Sequence, residues 1–145
     1  MVEFSLIQET EDEIVDEFSL FDSWEDKYEY IIDLGKKLQP LDPKYKVEEN
    51  KIKGCQSQVW LIADEQDGRI YFKADSDAII VRGLVNMLIR VLSGHTPDEI
   101  INAKLEFINK IGMTSHLAQT RSNGLLSMVK QMKHYALAYK AKAQL

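Results

Sequence analysis

At 145 residues, 45% hydrophobic and 28% charged, the chain has the size and composition of one folded domain with a real core. Its net charge of −5, with no basic stripe interleaved with aromatics, argues against nucleic-acid binding, and no apolar run approaches the roughly 18 residues of a membrane span. A single cysteine and the lack of a basic, then apolar, leader pattern point to a reducing compartment, most simply the cytoplasm.

In chain order, residues 3–19 form an acidic helix whose apolar side is Phe4, Ile7, Ile14, Val15 and Phe18. Ser23, with Asp26 three residues on, reads as a cap opening a second helix. Trp24, Tyr28, Ile31, Ile32, Gly35 and Leu38 follow at helical spacing, and Pro40 and Pro43 stop it. Residues 46–53 alternate loosely and predict a short strand. Gln58 to Glu65 predicts a stronger one, with Trp60 and Ile62 on one side and Val59, Leu61 and Ala63 on the other. Asp67-Gly68 signals a hairpin, and Arg69 to Ala74 returns with Ile70, Phe72 and Ala74 on one face.

The period then changes. Asp77 to Ser93 is nearly all apolar, its polar residues Arg82, Asn86, Arg90 and Ser93 falling on one narrow stripe. It predicts a central helix packed on the sheet and ended by Gly94. Thr96-Pro97-Asp98-Glu99 carries the cap, the N1 proline and the N3 glutamate of a short helix over 97–102. Another helix covers about 104–111, broken by Gly112. The last starts near Ser122 and runs to about Lys142, with Leu125, Met128, Val129, Met132, Tyr135 and Tyr139 inward. Strands in the middle and helices on both sides place the chain in the α+β class, a small antiparallel sheet packed against helices in a single domain over 1–145.

Charge is unevenly spread. Residues 1–26 hold ten acids and no Lys or Arg, whereas residues 120–145 hold Arg121, Lys130, Lys133, Lys140 and Lys142 and no acid. Two readings follow: end segments that solvate themselves or pair within the fold, or a charged docking surface for a protein partner.

The chemistry centres on Cys55, within Lys53-Gly54-Cys55-Gln56-Ser57-Gln58-Val59-Trp60. A lone cysteine forms neither an intramolecular disulfide nor a CxxC metal site. Core cysteines sit in apolar periodic segments, but Cys55 follows a glycine and precedes three polar residues, as on a presented loop. Lys51 and Lys53 are placed to lower its pKa. These features leave an inert buried thiol and a reactive one both open. No metal site is expected, since Cys55, His95, His116 and His134 lack ligand spacing. His95 and His134 read as plain surface or capping residues, and a Cys55–His116 hydrolase dyad stays open. No phosphate loop, dinucleotide motif or serine elbow is present.

Three ordered blocks carry a family resemblance: Ile52 through Trp60, Asp75-Ser76-Asp77-Ala78-Ile79-Ile80-Val81-Arg82-Gly83-Leu84, and Leu117 through Thr120-Arg121-Ser122-Asn123-Gly124-Leu125. From about Trp24 onward the chain resembles the SufE family of sulfur-acceptor proteins, CsdE-type members included, with Thr120 where members often have Ser. The resemblance implies a fold shared with IscU-type scaffolds and a cysteine on a loop beside the sheet. It implies that Cys55 takes the terminal sulfur of a persulfide on a cysteine desulfurase, stimulates that enzyme, and passes sulfur toward iron–sulfur cluster assembly, with a scaffold complex as a further partner. No cofactor of its own is implied; pyridoxal phosphate belongs to the desulfurase. Lys53, Gly54, Gln56, Ser57, Gln58, Asp77 and Arg121 become the partner-binding candidates. For Gln56 to Gln58 the alternative is capping of the strand start. For Asp77 the alternatives are a contact with the cysteine loop and a helix N-terminal acid, and for Arg121 a lock on the last helix. An adaptor that binds a desulfurase without using the thiol, and a self-sufficient cysteine hydrolase, remain the rival functions. A thiol tucked against apolar groups and released on docking is a further expectation.

Overall fold

The computed structural model describes residues 2–117 and 119–143, with the side chains of 6–113, 115–117 and 124–143. Helix α1 (Val2–Ser19) buries Ile7, Ile14 and Phe18, and with them Glu11. Helix α2 (Trp24–Lys37) opens on the Ser23 cap, whose hydroxyl accepts from the Asp26 amide at 3.2 Å. Strands β1 (Val59–Gln66) and β2 (Arg69–Ser76) pair antiparallel, Val59 opposite Ser76 and Gln66 opposite Arg69. Asp67 at φ 53° and Gly68 at φ 80° supply the two left-handed residues of a tight hairpin. Then come α3 (Ile79–Leu92), α4 (Pro97–Asn102), α5 (Phe107–Lys110), α6 (Met113–His116) and α7 (Gln119–Ala143). The α+β expectation holds, and so does the reciprocal capping box of Thr96 and Glu99.

Helix α3 is the hub. Its Ile80, Val81, Leu84, Val85, Leu88 and Val91 are buried, and so is the Ile70, Phe72 and Ala74 face of β2. Helices α2 and α3 touch backbone to backbone at Gly35 and Gly83, where a methyl group would overlap Ile79 O and Ile31 O respectively. Two residues of the polar stripe of α3 are turned to the same neighbour: Asn86 donates to Leu34 O at 2.8 Å, and Arg82 donates to Gly35 O at 3.0 Å and to Leu38 O. These carbonyls lie at the C-terminal end of α2, where intrahelical partners run out; Gly35 O also accepts from the capping Leu38 amide at 3.3 Å. Arg90 pairs with Glu13 at 3.1 Å and Glu17 at 2.8 Å, so the acidic first helix is tied to α3. At the basic end Lys140 pairs with Asp98 at 2.7 Å.

A two-stranded sheet exposes two edges, and both are closed here. On β1, Val59 O accepts from Ile52 N at 2.8 Å, Leu61 O from the Tyr135 hydroxyl at 3.4 Å and Ala63 O from the Tyr139 hydroxyl at 3.1 Å. On β2, Ile70 exchanges bonds with His95 O and Gly94 N, and Phe72 N donates to Ser93 Oγ at 2.9 Å.

Six expectations change. The helix over about 104–111 shrinks to Phe107–Lys110, and the last helix begins at Gln119 rather than near Ser122. The strand over 46–53 is absent; 3-10 turns at Pro43–Tyr45 and Glu48–Asn50 occupy the segment, and only a Lys51–Trp60 bridge remains. Strand β2 runs two residues further than Ala74, taking in Asp75 and Ser76. Helix α3 accordingly begins at Ile79 rather than Asp77. His95 is not a surface residue: it is buried, with Nδ1 3.7 Å from Glu99 Oε1.

Candidate functional site

The loop carrying Cys55 is fixed at both feet. At its start, Ile52 N binds Val59 O across the loop, and Gly54 turns the chain at φ 90°. That conformation suits glycine alone, and the contact does too, since a Cβ there would stand 2.7 Å from Ser127 Oγ. At its end, Asp77 accepts from Gln58 N at 3.0 Å and from Gln58 Nε2 at 3.3 Å, while Ser76 Oγ donates to Gln58 O at 2.7 Å. Asp77 thus holds the loop, and the helix-dipole alternative is the weaker one, because α3 starts two residues later.

Behind Asp77 stands a buried network. Asp75 accepts from the Leu41 amide at 3.0 Å and the Ser76 amide at 2.8 Å, pairs with Lys46 at 3.1 Å, and pairs with Arg82. Burial pushes this carboxyl up, but those donors outweigh it and hold it below its ordinary value. The 38–46 segment, the end of β2 and the first turns of α3 are thereby joined, two residues from the acid that grips the loop.

The Cys55 side chain points inward. Its Sγ lies 3.6 Å from Gly124 O on α7, beside a cavity of about 20 Å³ lined by Val59, Val81, Leu84, Gly124 and Met128, with Gln56 and Ser57 at the rim. Such a volume holds about one water-sized atom. The thiol is half-buried, and burial pushes its pKa up. This corrects the expected lowering by lysines: Lys51 is engaged by Glu48 at 3.3 Å, and desolvation dominates at the sulfur.

Of the other candidates, Lys53, Gln56 and Gln58 are exposed beside the thiol, and Ser57 is half-buried. The Arg121 side chain lies outside the described residues. His116 stacks on Trp24, ring centroids 4.7 Å apart, and among the described residues no histidine lines the Cys55 cavity. Also among them, no group of three His, Cys, Asp or Glu is placed to hold a metal ion. Two residues that matter, Gly124 and Ser127, were not singled out from the sequence. Gly124 lay within the third block of the resemblance, but only the fold shows it facing Cys55.

The SufE family model, described as an Fe-S metabolism associated domain, matches residues 12–136. The chain belongs to the SufE family. It is 42% identical over 130 residues to an uncharacterized SufE-like protein of Rhizobium meliloti (strain 1021), covering 86% of this chain and 93% of that one. An uncharacterized SufE-like protein of Synechocystis is 39% identical, covering 87% and 79%. SufE-like protein 1, chloroplastic/mitochondrial, of Arabidopsis thaliana is 38% identical over 133 residues, covering 91% of this chain and 36% of the plant protein. The fold matches the solution structure of a hypothetical protein from Thermus thermophilus with a TM-score of 0.73 at 17% identity, over 89% of this chain and 94% of that one. Within this SufE-family chain no helix is long and apolar enough to cross a membrane among the described residues.

Proposed function

We propose that this protein accepts sulfur on Cys55 from the persulfide of a pyridoxal-phosphate cysteine desulfurase, stimulates that enzyme, and delivers the sulfur to iron–sulfur cluster assembly in the cytoplasm. The observation that carries the reading is a single thiol held against a small apolar cavity, on a loop clamped by Ile52–Val59 and Gln58–Asp77. The Cys55 thiol first loses its proton to solvent or to a base on the donor. The thiolate then attacks the outer sulfur of the donor persulfide. A new S–S bond forms on Cys55, the old one breaks, and its electron pair leaves on the desulfurase cysteine.

Two features suit a carrier. Burial keeps the free thiol protonated at neutral pH, so it is a poor nucleophile until docking moves it toward solvent or positive charge. The apolar cavity has room for one further atom beside Sγ, where a persulfide is kept from water and reductant. A stand-alone hydrolase is disfavoured because His116 is committed to Trp24. Intact mass after incubation with a desulfurase and free cysteine tests the proposal. Gain of one sulfur by the native chain and none by Cys55→Ser supports it; no gain with retained binding gives the adaptor role instead.

A further inference from the structure

The groove on the other side of the cysteine loop is basic, and nothing in the transfer chemistry uses it. It encloses about 460 Å³ between residues 49–53 and α7. Its α7 wall is Ser127, Lys130, Gln131 and His134, at i, i+3, i+4 and i+7, which is one continuous helix face. Lys51 and Lys53 stand on the facing wall, with Glu49 the groove's acid. Lys51 is paired to Glu48. Lys53 and Lys130 are exposed and have no ion-pair partner among the described residues. Unpaired ammonium groups gathered in one groove of a chain whose net charge is −5 favour an anionic occupant by local charge alone.

Position and length say what kind. Lys53 is two residues from Cys55, and Ser127 packs on Gly54, so anything seated here lies against the loop that carries the thiol. The helix face from Ser127 to His134 is about 10 Å long, the span of about three residues of extended chain.

We propose that this groove receives a short acidic segment of the sulfur-donating protein and sets the approach of its persulfide to Cys55. The inference rests on Cys55 being the acceptor and adds where the donor docks. Lys53 and Lys130 act as docking residues, not catalytic ones. They raise the local concentration of the donor and orient it, so they act on apparent affinity and association rate rather than on the transfer step.

The test is the dependence of desulfurase turnover on the concentration of Lys130→Glu and of Lys53→Glu/Lys130→Glu, at several salt concentrations. Surface reversals elsewhere match the changes in net charge, Lys36→Glu for the single variant and Lys36→Glu/Lys37→Glu for the double. The expected result is a KM for the carrier raised about threefold by the single reversal and about tenfold by the double at low salt. The difference should fade near 1 M salt, where the Debye length is about 3 Å. Turnover at saturating carrier, and Cys55 alkylation by iodoacetamide in the free protein, should stay native. Unchanged KM in the double variant, or an equal rise in the matching Lys36→Glu/Lys37→Glu, overturns the groove while leaving Cys55 as acceptor. Self-association of the native chain that the same reversals abolish assigns the groove to a second copy and also overturns the proposal. Failure of the native chain to gain sulfur at all removes the functional reading on which the proposal rests.

Discussion

Cys55 Sγ and Gly124 O are 3.6 Å apart across the junction of the loop and α7. A Cβ at Gly124 would lie 3.5 Å from that sulfur, an ordinary van der Waals contact. Gly124→Ala is therefore expected to fold, and to gain up to about 1 kcal/mol from helix propensity. Its methyl would crowd the side of the sulfur from which α7 must part. Alkylation of Cys55 and sulfur uptake should both slow severalfold while the thermal midpoint rises or holds. A lower midpoint would show that Gly124 serves packing rather than access.

Gly54→Ala meets two penalties, the left-handed φ of 90° and the 2.7 Å approach to Ser127 Oγ. Together they should cost about 2 kcal/mol in urea unfolding, of which about 1 is backbone strain. Gly54→Ala/Ser127→Gly removes the contact and keeps the strain. After correction for Ser127→Gly alone, the double variant should recover only part of the loss. Complete recovery would assign the requirement at Gly54 to space alone.

Asp77→Ala releases both Gln58 bonds. They are exposed, so the cost to stability should be about 1 kcal/mol or less. The larger effect falls on the loop: Cys55 should react faster with iodoacetamide than in the native chain. An unchanged rate would show that the Ser76–Gln58 and Ile52–Val59 bonds hold the loop without Asp77.

Asp75→Asn leaves Arg82 and Lys46 facing a neutral amide in a buried site, and should destabilise by about 3 kcal/mol or more. The native carboxyl is held below its ordinary value. In the interval between its folded pKa and the unfolded value of about 3.9, the unfolded chain binds more protons. Its stabilisation is complete above that interval and is lost as pH falls through the folded pKa. Acid titration of the unfolding free energy should therefore be shallower below pH ~4 in Asp75→Asn; identical slopes would contradict the network.

Cys55 has the opposite sign. Its folded pKa is raised by burial, so its contribution is present below the unfolded thiol value of about 8.5 and is lost as pH rises beyond it. Stability should fall above pH ~8.5 more steeply in the native chain than in Cys55→Ser. The alkylation rate of the folded protein should also titrate above the free-thiol value.

Local rules read the helices and the hairpin well, because their signals lie within a few residues: Ser23, Thr96 with Glu99, and Asp67-Gly68 each act on their own segment. What depends on distant partners was not legible. Residues 46–53 alternate, but only Lys51 finds a bridge to β1 before Gly54 turns the chain away. Asp75 carries no reading of its own in the sequence beyond its place in the second block; only the fold brings Leu41, Lys46 and Arg82 to it. The thiol's environment was half legible. The loop could be recognised from Gly54 and the polar run, whereas the upward push on the thiol comes from a cavity built by β1, α3 and α7.

The central claim is that Cys55 itself carries the transferred sulfur. Its most direct measurement supplies the desulfurase with cysteine labelled in heavy sulfur, quenches by alkylation, and maps the label by peptide mass spectrometry. Heavy sulfur on the peptide containing Cys55, lost in Cys55→Ser and removed by a thiol reductant, is the predicted result. Desulfurase stimulation by the native chain with no label on that peptide, and equal stimulation by Cys55→Ser, would contradict it.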